Sequence, residues 1–71
     1  MQNNLTQREL NIMSYLAQGL TNEEISEQLN ISVHTVKAHL ESIYEKLSVT
    51  NRVQAAIKAV VLGLIDLNAL V

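Results

Sequence analysis

Residues 21–40 read TNEEISEQLNISVHTVKAHL, and the order of residue types is that of two helices joined by a tight turn. Thr21 and Ser32 each stand where a hydroxyl can cap a helix start, and apolar pairs flank them, Leu20 with Ile25 and Ile31 with Val36. In that arrangement the hydroxyl accepts from a first-turn amide while the two apolar side chains staple across it. Between the starts lies Asn30, and asparagine is the non-glycine residue most at ease with positive φ. Ile25, Leu29, Ile31, Val36 and Leu40 supply inward faces on both sides of the turn. Ser26, midway along the first helix, is small enough for a close crossing of two backbones.

The same grammar extends in both directions. LTQREL at 5–10 sets Leu5 and Leu10 around a Thr6 cap, and predicts a first helix over about 7–18 that ends at Gly19. Its inward residues by helical spacing are Leu10, Met13, Leu16 and Ala17. The second and third helices are expected over about 22–29 and 33–47. Asn51 opens a fourth over about 52–62, with Gln54 as a box partner and Gly63 at its end. Residues 5–65 are then one all-α, four-helix domain, with 1–4 a disordered or linker N-terminus and 66–71 a C-terminal tail.

Size and composition narrow the class. A chain of 71 residues supports a single small core, and it has no cysteine for disulfides and no proline to break helices. The polar start MQNNLTQ is not a signal peptide. AAIKAVVLGLIDLNALV contains Lys58 and Asp66, so it lacks the roughly 18 uninterrupted apolar residues of a membrane span. These features fit a cytoplasmic protein. The histidines, His34 and His39, lie well apart around a helix, and no metal or other cofactor is expected. The glutamates are scattered, with no nucleophile pair or glycine-rich loop, so no enzyme is expected.

The net charge is −2, which argues against a polyanionic partner until its distribution is considered. Residues 1–31 hold Arg8 against Glu9, Glu23, Glu24 and Glu27, whereas residues 32–58 hold Lys37, Lys46, Arg52 and Lys58 against Glu41 and Glu45. The change falls at the third helix start, which breaks the rule of the first two. Glu9 and Glu24 occupy the third helical position of their helices and complete capping boxes; the third helix has Thr35 there. A first-turn glutamate uses the positive field of the helix end internally and repels an arriving phosphate. Ser32 and Thr35 offer neutral hydroxyls instead, which can cap or bond a phosphate oxygen. The plainer alternative is that Thr35 is merely an acceptable substitute.

Short helix, three-residue turn and longer helix, with these inward residues, make a helix-turn-helix, in which the second helix enters the DNA major groove. A wheel over 33–47 buries Val36, Leu40, Ile43 and Leu47, with Val33 and Tyr44 on one flank. The opposite face carries His34, Lys37, Ala38, Glu41 and Glu45. Lys37 can reach a phosphate or the guanine O6/N7 edge, and Ala38 lets the helix lie deep and can touch a thymine methyl. Glu41 either accepts from cytosine N4 or pairs weakly with Lys37 one turn away. Glu45 is expected beyond the groove.

The chain from Leu5 to Ile65 resembles the LuxR-type helix-turn-helix domain, also called FixJ- or GerE-type. The matching phrases are LTQREL, GLTNEEIS, LNIS, TVKAHLESIYEKLSV and NRVQAAIKAVVLGLI. The resemblance implies a four-helix DNA-binding domain of bacterial transcription factors, often covalently linked to a receiver or ligand-sensing domain, sometimes standing alone. It places Lys37, Ala38 and Glu41 at base-reading positions, with His34 on the same face. It places Thr21, Thr35 and Lys46 at phosphates, with Asn22 and Ser32 beside them. It also implies a homodimer through the fourth helix. Two departures remove family cations: Glu23 stands where a basic residue is common, and Thr50 where an arginine is frequent.

Other residues carry competing readings. His39 is expected either to pack with an internal hydrogen bond or to meet a phosphate. Arg52 is expected to pair with a carboxylate of the first or second helix rather than with DNA. On the fourth helix, Ile57, Val60, Val61 and Leu64 can fill one core face, yet Ala56, Ala59, Leu62 and Leu67 are apolar too. A helix apolar on more than one side is buried on more than one side. Ala56, Ala59, Val60 and Leu62 are therefore the expected dimer interface. The rival to DNA binding is a protein-interaction module on the same fold, favoured by the acidic first two helices.

Overall fold

A computed structural model, describing residues 5–65, contains four helices: α1 Gln7–Ala17, α2 Asn22–Leu29, α3 Val33–Leu47 and α4 Arg52–Val61. The first and last stop one residue short of expectation, Gln18 and Leu62 serving as C-caps. The expected linker, the tail and Leu67 lie outside the described residues.

Each helix begins on a side-chain oxygen that accepts the backbone N–H three residues on. Thr6 takes Glu9 at 3.1 Å, Thr21 takes Glu24 at 3.1 Å, Ser32 takes Thr35 at 3.0 Å and Asn51 takes Gln54 at 2.9 Å. Glu9 and Glu24 reach back to the cap N–H at 2.9 and 2.8 Å, completing both expected boxes. Gln54 departs from expectation: its Oε1 accepts from the N–H and hydroxyl of Thr50, one residue before the cap.

The four helix ends also share one construction. Gly19, Asn30, Ser48 and Gly63 have φ of 90°, 56°, 58° and 71°. In each case the next residue is apolar and donates its N–H to the carbonyl five positions back: Leu20 to Tyr15, Ile31 to Ser26, Val49 to Tyr44 and Leu64 to Ala59. Leu20, Ile31, Val49 and Leu64 then pack against the core, so each turn is closed by a hydrogen bond and a hydrophobic contact.

The core consists of Ile12, Met13, Leu16, Ile25, Val36, Leu40, Ile43, Leu47, Ala55 and Ala59. Burying each of its large side chains contributes about 1.5–3 kcal/mol. α2 lies chiefly on α3, while α1 packs against both α3 and α4. That double contact explains a correction on α1: Ile12 is fully buried, while Leu10 and Ala17 are only half-buried. Ser26 is buried as expected, its hydroxyl bonded to the Glu23 carbonyl. No described helix is long and apolar enough to cross a membrane.

α4 faces differently from expectation. Ala55 and Ala59 point inward and are fully buried, so Ala59 belongs to the core rather than to an interface. Ile57 and Val61, expected in the core, are 59% and 74% exposed, in one stripe with Val53 at 64%. The small alanines occupy the face against α1 and α3, which turns the large β-branched residues directly outward.

Candidate nucleic-acid interface

The base-reading candidates share the solvent face of α3: His34, Lys37, Ala38 and Glu41 are all exposed. Lys37 and Glu41 form no ion pair, and Lys37 makes no side-chain hydrogen bond among the described residues. Thr21 and Asn22, at the start of α2, line one groove with Val33, Lys37 and Arg52. A second, smaller depression joins Asn22 and Lys37 to Leu40, Glu41 and Tyr44. The chain thus brings two helix starts and one uncommitted lysine to the same side.

The start of α3 differs electrostatically from those of α1 and α2. The first turn of α1 holds Glu9 and that of α2 holds Glu23 and Glu24, whereas the first turn of α3 holds no acid. Ser32 Oγ and Thr35 Oγ1 lie 2.9 Å apart and share one hydrogen bond. One of the two hydroxyl hydrogens is consumed between them, and the other remains to donate to an incoming oxygen. With its partial positive charge uncompensated, this helix end is suited to an anion.

Lys46, expected at a phosphate, is placed elsewhere. It is nine residues from Lys37, which puts the two on opposite flanks of α3. Its ammonium lies 2.8 Å from Glu9 Oε1, with its side chain 30% exposed and that of Glu9 only 5%. Ser42 Oγ donates to Glu9 Oε2 at 2.9 Å. Burial pushes the Glu9 carboxyl up, but hydrogen bonds from Lys46, the Thr6 N–H and Ser42, with the Lys46 charge, outweigh it and hold the group below its ordinary value.

Arg52 does find α2, but through a different chemistry from that expected. Its guanidinium donates to Asn22 Oδ1 at 2.9 Å and to the Leu20 carbonyl at 2.8 Å, not to a carboxylate. Glu24 is occupied by its own cap, and the Leu20 carbonyl offers a partial negative charge at the turn. The Asn22 side chain is therefore fixed by Arg52, and its amide N–H groups remain donors for the groove. His39 is half-buried, and its ring has no hydrogen bond among the described residues, so the expected internal bond is not formed. Sequence reasoning missed Arg52 as the clamp of this loop; its side-chain length and its place at the start of α4 were the available signals.

The chain matches the bacterial regulatory proteins of the luxR family over residues 3–59. It belongs to the LuxR family. Its fold is a helix-turn-helix, and the family's work is DNA-binding transcriptional regulation. It is 51% identical over 55 residues to the transcriptional regulatory protein LiaR of Bacillus subtilis, covering 78% of this chain and 26% of LiaR. It is 51% identical over 53 residues to the nitrate/nitrite response regulator protein NarP of Escherichia coli, covering 75% of this chain and 25% of NarP. With the transcriptional regulatory protein LnrK of Bacillus subtilis, identity is 48% over 59 residues, covering 83% of this chain and 27% of LnrK. The chain spans about a quarter of the length of these curated relatives.

Proposed function

We propose that this LuxR-family domain binds double-stranded DNA with α3 in the major groove, His34, Lys37, Ala38 and Glu41 facing the base edges. Thr21, Asn22, Ser32 and Thr35 meet the flanking phosphates. The observation that carries this reading is the exposed Lys37, without an ion pair among the described residues, beside two helix starts, one of them free of acidic side chains. The domain acts in the bacterial cytoplasm as the output of a response regulator or as a stand-alone regulator, with a receiver or sensor domain as its linked partner. That NarP and LiaR are about three times as long as this chain supports the linked form.

Two copies pair through α4. The pairing surface is the stripe Val53, Ile57 and Val61 with Leu62, each more than half exposed, with Ala56 and Val60 at its edge. Apolar side chains in such a row favour a partner over water, and a dimer offsets the weak affinity of a domain with few cations. Ile57→Glu is expected to hold the domain monomeric in sedimentation equilibrium.

Fluorescence titration with duplex DNA at two salt concentrations tests the whole. Binding is expected to weaken as salt rises, because Lys37 brings a cation to the duplex in each copy. Absent or salt-insensitive binding contradicts it and favours a protein-interaction module.

A further inference from the structure

Glu9 and Glu24 do the same capping work, yet their surroundings differ. Glu24 is exposed and, among the described residues, its side chain bonds only within its own box. Glu9 is buried and also receives Ser42 and Lys46, 33 and 37 residues away. Those two donors are one turn apart on a single flank of α3, so one carboxylate grips the helix at two points. Both of its oxygens are used: Oε1 by the Thr6 N–H and Lys46, Oε2 by Ser42. Capping does not require this long-range grip.

We propose that Glu9 is a positioning residue for duplex recognition: it fixes the orientation of α3 through Ser42 and Lys46 and neutralises the Lys46 ammonium, which is an internal tether rather than a phosphate contact. This rests on the reading of α3 as the DNA-binding helix. It replaces the expectation that Lys46 adds to the salt dependence of binding, and it leaves the hydroxyl starts and Lys37 to meet the duplex.

The test begins with the unaltered protein and a duplex selected from a random pool. On titration, the NMR side-chain signals of Lys37 are expected to move and those of Lys46 to stay. A Lys46 signal that moves as far as that of Lys37 overturns the proposal. For Lys46→Met, the salt slope is expected to equal the parent's, whereas a loss of about 0.9 per copy, the value of one phosphate, overturns it. Positioning is read from Glu9→Gln, which keeps the side-chain shape. At a temperature where its helix content equals the parent's, its preference for the selected over a scrambled duplex is expected to fall severalfold. An unchanged preference makes Glu9 a fold residue alone and overturns the positioning role. If Lys37→Met leaves duplex binding untouched, the DNA-binding reading of α3 itself fails, an outcome distinct from the other three.

Discussion

From Val33 to Glu41, α3 presents His34, Lys37, Ala38 and Glu41 to solvent, and Lys37 makes no ion pair among the described residues. From Ser42 to Leu47, the same helix is pinned from outside. Glu9 grips Ser42 and Lys46, and Lys58 Nζ donates to the Leu47 carbonyl at 2.9 Å. One half is open and the other anchored. A helix that must enter a groove needs both: a free face to meet the ligand, and a fixed end so that the ligand does not have to order it. The contrast also shows that a count of lysines is not a count of available charges. Lys37 and Lys46 are formally equal, but one is committed to a buried carboxylate and the other is not.

Removing the anchor should have the largest effect. Lys46→Ala leaves the Glu9 carboxylate buried without its cation and is expected to cost about 2–3 kcal/mol in urea unfolding. That is below the 3–5 of a fully buried pair because Lys46 retains partial solvent access. The same pair predicts an acid-sensitive limb. The folded Glu9 carboxyl is held below its ordinary value, so its ionised form favours folding. That contribution is complete above the range of an unfolded glutamate, and it disappears as pH falls through the lower folded value. Glu9→Gln should lose that part of the stability–pH curve, and an unchanged curve below about pH 5 would place the acid limb elsewhere.

At the open end, Lys37→Ala should leave unfolding unchanged and lower discrimination between preferred and scrambled duplexes by about 1–2 kcal/mol in competition titrations. Ser48→Gly removes the left-handed strain at the end of α3, where φ is 58°. The relief of about 1–2 kcal/mol exceeds the added glycine entropy, for a net gain of about 0.5–1 kcal/mol in thermal unfolding. Thr35→Glu gives the open end the missing acid. It should stabilise α3 by about 0.5 kcal/mol while weakening duplex binding, opposite signs that separate capping from phosphate recognition.

Much of this was legible because it is local. Thr6, Thr21, Ser32 and Asn51 announce helix starts through a bond to an amide three residues away, and Gly19, Asn30 and Gly63 announce ends through the conformation they tolerate. Ser48 carries no such preference; the apolar Val49 that follows was the only cue. The face of α4 is not legible in the same way, because alanines and β-branched residues are all apolar and periodicity does not say which side faces α1. The exposure of Lys37 and Glu41 followed from a helical wheel. The grip of Glu9 on Lys46 did not, since it depends on how α1 lies across α3, and no pattern along the chain encodes that.

Backbone amide chemical shifts, followed as a selected duplex is added to the isotopically labelled domain, test most directly which half of α3 meets DNA. Shifts are expected at Thr21, Asn22 and Ser32 through Glu41, fading at raised salt, with α1 and the stretch from Ser42 to Leu47 nearly still. Shifts centred on Ser42–Leu47, or on the acidic face of α2 with no response to salt, would contradict that expectation.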